Sequence, residues 1–230
     1  MLSRKFKLTN HSKLPLQWSG SEFGAVKEEE LQAWSDIAVI DVREWMKYAE
    51  GHFPGSWNIG LESTGFAANV GIFTERKNSI LLVAESFRQA HRARRELLRA
   101  GFRSVQGFIE ACQLTNLHRL TQLAVADLKS TLSRGGKPAL LDVRSSEEWR
   151  PSRIPRSTNI PLEMLPVRSS ELSITNPLVV ICQDGYRSAI ASSWLQSVGF
   201  ESVHHLIGGM NAYGAAGSTE IFPSLSLSTT

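Results

Sequence analysis

The chain has 230 residues, 42% hydrophobic and 20% charged, with a net charge of +3 at neutral pH. That balance excludes a disordered or collagen-like chain, and the length accommodates one large domain or two of about 100 residues each. Its two cysteines, Cys112 and Cys182, exclude a disulfide framework. No Cys/His spacing matches a zinc site, so neither a metal nor a cofactor is expected.

The opening MLSRKFKLTNHSKLPLQW is basic but has no continuous apolar run. No signal peptide is expected, and residues 1–21 read as an N-terminal extension. No window approaches the length of a membrane span. With reduced cysteines, this points to a cytoplasmic protein without a membrane partner. From residue 22 short helices alternate with apolar strands. A helix over 27–35 precedes a strand over 37–41, and a Pro/Gly loop leads to a short apolar run at 58–59. A strand over 80–84 is followed by a helix that ends on Gly101 as C-cap, then by a short strand over 104–106. Arg88, Arg92, Arg94, Arg95 and Arg99 are spread around that helix, a solvated face rather than a nucleic-acid patch. A linker is placed at 113–122, with 116–123 irregular. The same series then returns: helix 124–133, strand 139–142, apolar run 159–162, strand 178–182, helix 188–197 ending on Gly199, strand 203–206. The Ser/Thr-rich end, 218–230, reads as a flexible tail.

The series repeats because the sequence does. IAVIDVREWMKYAEGHFPGSWNI (37–59) lies over PALLDVRSSEEWRPSRIPRSTNI (138–160) at a constant offset of 101, matching Asp41-Val42-Arg43 to Asp142-Val143-Arg144 and Asn58-Ile59 to Asn159-Ile160. Residues 79–105 lie over 177–203 at an offset of 98, matching Gly101-Phe102 to Gly199-Phe200. Two matched blocks in the same order predict tandem domains at 22–112 and 123–217. Continuous apolar strands between helices predict an α/β fold in each, a mostly parallel sheet flanked by helices.

In such sheets ligands bind at the carboxyl ends of strands, beside helix N-termini. Cys182 has that place in the second copy. The loop Gln183-Asp184-Gly185-Tyr186-Arg187 follows it and feeds the helix that carries Ser188. A tight loop of this kind turns backbone N–H groups inward, Gly185 gives it freedom, and the helix dipole and Arg187 add positive character. These features favour a thiolate, the nucleophilic form, so Cys182 is expected to be ionised at neutral pH. No neighbouring histidine is needed, and none adjoins the loop in sequence. The competing view of Cys182 is a small buried hydrophobe at a strand end.

The motifs LLDVRSSEEW, IPRSTNIPL, CQDGYRSA and GGMNAY in the second copy, with VIDVREWMKYAEGHFPGSWNI and LLRAGF in the first, resemble the rhodanese (sulfurtransferase) superfamily. The resemblance implies that Cys182 takes sulfane sulfur from thiosulfate or a low-molecular-weight persulfide, holds it as a persulfide, and passes it to a thiol or cyanide. The N–H groups of Gln183 to Ser188 would stabilise the persulfide charge. The chain departs from the family pattern at Ser152-Arg153-Ile154, where Gly-His-Ile is usual, and at Tyr213, where Trp is common. Asp184 adds a negative charge that would disfavour dianionic thiosulfate. In the first copy Ala84, or Val83 with a shift of one residue, falls at the cysteine position. That copy is expected to be catalytically inactive, with Cys112 structural. An inactive copy before an active one also resembles the C-terminal half of fusions of a metallo-β-lactamase-like persulfide dioxygenase to rhodanese domains, which implies such a dioxygenase as partner.

Asp142 and Arg144 end the central strand of the second copy. They either line the pocket or serve the architecture, with Arg144 paired to Glu147 or Glu148. Of His204 and His205 one should face inward and one outward. Trp18, Trp34, Trp45, Trp57, Trp149 and Trp194 are expected in cores and interfaces. Arg150, Arg153 and Arg156 either receive an anionic donor or are simply solvated. Two other functions stay open. Four residues separate Cys182 from Arg187, one fewer than a cysteine phosphatase or arsenate reductase of this type needs to ring an oxyanion. A copy without a nucleophile also suits a non-catalytic sulfur-carrier, regulatory or interaction module.

Overall fold

Apolar runs too short for helices and too continuous for surface strands organise the chain into two parallel sheets. The structure, a computed structural model, describes residues 23–32, 37–62 and 65–217. It divides into units Met1–Arg119 and Leu120–Thr230. The extension at 1–21, the tail at 218–230, Trp18, Trp34 and the far end of the first expected helix lie outside the described residues.

The first unit runs β1 (Gly24–Ala25), α1 (Glu28–Gln32), β2 (Ala38–Asp41), α2 (Trp45–Glu50), β3 (Trp57–Asn58), α3 (Phe66–Phe73), β4 (Ile80–Ala84), α4 (Phe87–Arg99) and β5 (Val105–Glu110). The second runs β6 (Thr121–Leu123), α5 (Val125–Ser133), β7 (Ala139–Asp142), α6 (Ser146–Trp149), β8 (Thr158–Asn159), α7 (Leu165–Arg168), β9 (Leu178–Ile181), α8 (Tyr186–Ser197), β10 (Val203–Leu206) and α9 (Gly209–Ala215). Strand orders are β1-β5-β4-β2-β3 and β6-β10-β9-β7-β8, and every pairing is parallel. Each sheet is flanked by helices. The middle strands, Ile-Leu-Leu-Val-Ala and Leu-Val-Val-Ile, are buried at every residue, as a parallel strand covered on both faces must be. In the second unit Val179, Ile181 and Leu206 point into a cluster with Leu128, Leu140, Ile154, Met210 and Tyr213. By alternation Val180 and His205 point the other way, toward α8.

Several expected boundaries shift. The stretch 116–123 is not all linker: Thr121–Leu123 is a strand paired to β10, with Leu123 opposite Leu206. Thr-Gln-Leu carries no apolar signal, and tertiary pairing overrides its weak propensity. β5 continues to Glu110 instead of stopping at 106. The chain leaves the sheet after Asn159 and forms a 3-10 turn at Leu162–Met164. α8 starts at Tyr186, two residues early, because Gly185 in the left-handed region (φ 110°) opens the helix at once.

One polar frame is built twice. Asp142 and Arg144 are both buried. The Asp142 carboxylate accepts from the Arg144 backbone N (3.0 Å), Nε (3.0 and 3.1 Å) and Nη2 (2.7 Å). Arg144 Nη2 also donates to Ser152 O at 2.7 Å, and Asn159 Nδ2 donates to the carbonyls of Asp142 and Arg144. In the first unit Arg43 repeats the set with Asp41 and Gly51 O, and Asn58 repeats the amide bonds. The expected pairing of Arg144 with Glu147 or Glu148 is thus corrected. Two residues apart at the end of a strand, Asp142 and Arg144 satisfy each other where water is excluded. Removing the carboxylate strands a buried guanidinium. Asp142→Ala should cost about 3–5 kcal/mol in urea denaturation. Glu75→Ala, which breaks the exposed 2.8 Å pair with Lys77, should cost no more than about 1 kcal/mol.

Candidate active site

The site begins where β9 stops. Asp142 pairs with Ile181 in the ladder and Val143 N donates to Ile181 O at 2.9 Å, so Cys182 is the first residue free of the sheet. It is completely buried, but polar groups of the following turn close on its sulfur. The Gly185 N–H donates to Sγ at 3.1 Å, Ser188 Oγ lies 3.3 Å from it, and Asp184 Oδ1 lies at 3.8 Å. Gly185 reaches this position at φ 110°, a conformation side-chain-bearing residues rarely adopt. The expected cradle of N–H groups from Gln183 to Ser188 is narrower than foreseen. The Tyr186 N–H donates to Asp184 Oδ1 at 3.0 Å instead.

The loop is held from both sides. Arg144 Nη1 donates to Gln183 Oε1 at 3.2 Å, which ties the buried frame to the loop. From the other side α9 directs its first N–H groups at the loop: Met210 N donates to Cys182 O (2.8 Å) and Asn211 N to Gln183 O (2.9 Å). The Asn211 side chain accepts from Gln183 Nε2 at 2.5 Å. A Cβ at Gly209 would collide with the carbonyl oxygen of Cys182, so this close approach requires glycine.

Arg187, in the first turn of α8, makes a two-pronged pair with Glu148 at 2.6 and 2.7 Å. This bond holds the Glu148 carboxyl down to about 2 and raises Arg187, which also feels the charges of Cys182 and Asp184. Glu148 was not among the expected site residues, although its signal is in the sequence. Ser145 and Glu148 form a capping box that starts α6 and leaves the carboxylate facing α8. His205 was missed as well: its Nδ1 lies 3.1 Å from Ser188 Oγ. Burial lowers its pKa to about 4, so it is neutral at pH 7. No histidine adjoins the loop in sequence, but strand pairing brings residue 205 beside 180 and so against Ser188. His204 is part-buried, 3.2 Å from Ser202 Oγ.

The other expected residues disperse. Arg153 lies over the Trp149 ring at 4.3 Å and donates to Arg150 O, and Arg156 takes a positive φ of 66°. Cys112 is exposed in a 3-10 turn, not packed in a core as a structural cysteine would be. Among the described residues no group of three or more His, Cys, Asp or Glu side chains gathers as a metal site, and no helix is long and apolar enough to cross a membrane. In the first unit the register settles the alignment. Asp41 pairs with Val83 as Asp142 pairs with Ile181, so Ala84 stands where Cys182 does. Side chains there occupy loop amides: Gln89 Oε1 accepts from Glu85 N at 2.8 Å and Glu110 Oε1 from Phe87 N at 3.1 Å.

The model of the rhodanese-like domain matches residues 27–112 and again 124–216. The chain belongs to the rhodanese-like family. Curated relatives include an adenylyltransferase and sulfurtransferase of Arabidopsis thaliana, 33% identical over 111 residues, which are 41% of this chain and 24% of that one. A sulfurtransferase of Allochromatium vinosum is 31% identical over 84 residues, 36% of this chain and 78% of that one. A rhodanese-like/PpiC domain-containing chloroplastic protein of Arabidopsis thaliana is 34% identical over 90 residues, 37% of this chain and 29% of that one. The chain thus spans about a quarter of the first of these and most of the second.

The lowered pKa values of His205 and Glu148 imply a signed pH dependence of stability. His205 has a folded pKa below the ordinary histidine value of 6.5, so its contribution is present above pH 6.5 and is lost as pH falls toward 4. Glu148 is likewise depressed from 4.5, and its contribution is lost between about pH 4.5 and 2. Urea midpoints should therefore decline in two stages on acidification. His205→Phe should shrink the first stage, leaving the part due to His52, which burial likewise pushes down to about 4, and should leave the second stage unchanged.

Proposed function

We propose that this rhodanese-like protein is a sulfurtransferase whose second unit carries sulfane sulfur on Cys182. The observation that carries the reading is the pair of polar groups at the sulfur, the Gly185 amide at 3.1 Å and the Ser188 hydroxyl at 3.3 Å. Hydrogen bonds to an anion are the strong ones, and donors fixed before reaction cost no reorganisation during it. In the first step the Cys182 thiolate attacks the outer sulfur of the donor. The new S–S bond forms on Cys182 as the old one breaks, and its electron pair leaves with sulfite from thiosulfate, or with a thiolate from a persulfide. In the second step an acceptor thiolate or cyanide attacks the outer sulfur of the Cys182 persulfide, and the electron pair returns to Sγ. Cys182 cycles through a covalent intermediate in a two-step exchange.

Gln183, Asp184, Gly185, Tyr186, Arg187 and Ser188 form the binding loop in this reading. Asp142 and Arg144 hold it from beneath. A low-molecular-weight persulfide suits the loop better than dianionic thiosulfate, because Asp184 faces the sulfur and Arg187 is already paired with Glu148. The first unit is the inactive one, supported by Ala84 at the nucleophile's position. A persulfide dioxygenase as upstream partner and a cytoplasmic site of action belong to the same reading and rest on the sequence resemblance. One observation favours a non-catalytic module instead: Cys182 has no exposed surface, so a donor reaches it only if the loop opens.

Cys182→Ser should reduce thiosulfate:cyanide sulfur transfer to background while Cys112→Ser leaves it intact; unchanged turnover in the first variant would remove the assignment. Glu148→Gln should release Arg187 and raise kcat/KM for thiosulfate relative to glutathione persulfide by roughly two- to fivefold, the scale of a partly exposed ion pair.

A further inference from the structure

Ser188 has one hydroxyl hydrogen and three acceptors within reach. Cys182 Sγ lies at 3.3 Å, Gly185 O at 3.1 Å and His205 Nδ1 at 3.1 Å. Which acceptor receives the hydrogen decides whether the sulfur faces a donor or a lone pair. His205 controls that choice through its tautomer. With hydrogen on Nδ1 the ring is no acceptor; it donates to a Ser188 lone pair and leaves the hydroxyl hydrogen free for the sulfur. With Nδ1 bare, the ring competes for that hydrogen.

We propose that His205 is a positioning residue for Cys182: its Nδ1–H holds the Ser188 oxygen and turns the Ser188 hydrogen onto the thiolate or persulfide sulfur. The inference rests on the reading of Cys182 as the sulfur carrier and adds a residue to that site. An anionic sulfur outcompetes the neutral Gly185 carbonyl for the hydrogen, so charge on Cys182 and the Nδ1–H tautomer favour each other. Burial keeps the ring neutral at pH 7, so it acts as an oriented dipole rather than a base.

A second observation comes from the first unit. Its strand register sets Phe108 opposite Leu82 as His205 is opposite Val180. Counted back from the Gly-Phe pair that ends each helix, Ala90 stands where Ser188 does, and both are buried. The thiol, the hydroxyl and the imidazole are thus present together in one unit and replaced together by Ala84, Ala90 and Phe108 in the other. Core packing alone would not tie these three positions.

Other charged groups act on the sulfur and belong in the comparison. Asp184 faces it from the loop, Arg187 from α8 already paired with Glu148, and the Asp142–Arg144 frame through Gln183. All of these side chains are left in place in the variants, so each is carried through the comparison. The test is a pH titration of thiolate ultraviolet absorbance in a Cys112→Ser background, which needs no access to the buried sulfur. Ser188→Ala should lower the thiolate fraction at neutral pH by roughly tenfold, the scale of a hydrogen bond to a charged group. His205→Phe should shift the midpoint in the same direction by less. The double variant should titrate like Ser188→Ala, and His205→Asn, whose amide can donate near the Nδ1 position, should stay close to the parent. Thermal melts identify any variant that fails to fold, and the asparagine variant then carries the comparison with Ser188→Ala. If His205→Phe titrates with the parent, or its shift adds fully to that of Ser188→Ala, the positioning role is overturned. The parent is also incubated with thiosulfate or glutathione persulfide and weighed. Failure to gain sulfur there would overturn the carrier reading instead, so the two failures are distinct.

Discussion

The approach of the Gly185 amide to the Cys182 sulfur is the contact on which the chemistry proposed for the second unit depends. It exists because three separate constraints meet at one turn. The middle strand ends at Ile181, so Cys182 emerges at the carboxyl edge of the sheet. Gly185 takes a backbone conformation that a side chain would oppose. Gly209 lets α9 come close enough to bind the carbonyls of Cys182 and Gln183, fixing the loop while the Gly185 amide faces the sulfur. A sulfur in this setting is buried yet solvated by the protein, which is the condition for holding an anion out of water.

The two units share one frame and differ at the position of Cys182. Both build the buried Asp–Arg pair at the end of the second strand, both anchor it on a carbonyl eight residues later, and both tie it with an asparagine amide. These bonds are architectural, since they persist where Ala84 replaces the thiol. The units diverge in the loop. In the first, Gln89 and Glu110 side chains accept from loop amides; in the second, the sulfur and Asp184 accept from loop amides, and α9 donates to loop carbonyls.

Much of this was legible in the sequence. The apolar runs, the twofold recurrence of Asp-Val-Arg and Asn-Ile, and the glycines at 101 and 199 mark the sheet, the repeat and the helix ends. The loop of Cys182 was legible from its position after Val-Val-Ile. What escaped was pairing between distant residues. Thr121–Leu123 has no strand pattern of its own and is held by β10. His205 looked like one of two histidines in a short strand; its place beside Ser188 follows from the register of β10 on β9. Arg144 seemed free to choose Glu147 or Glu148, but Asp142 is nearer and equally deprived of water, while Glu148 is aimed at Arg187 by its own capping box.

The proposed sulfur anion makes one direct demand. Intact protein incubated with thiosulfate or glutathione persulfide, freed of donor and weighed, should be heavier by one sulfur atom, with the added mass on the peptide carrying Cys182 and removable by cyanide. Protein that stays at its original mass with both donors, or that gains sulfur only at the exposed Cys112, would contradict the account.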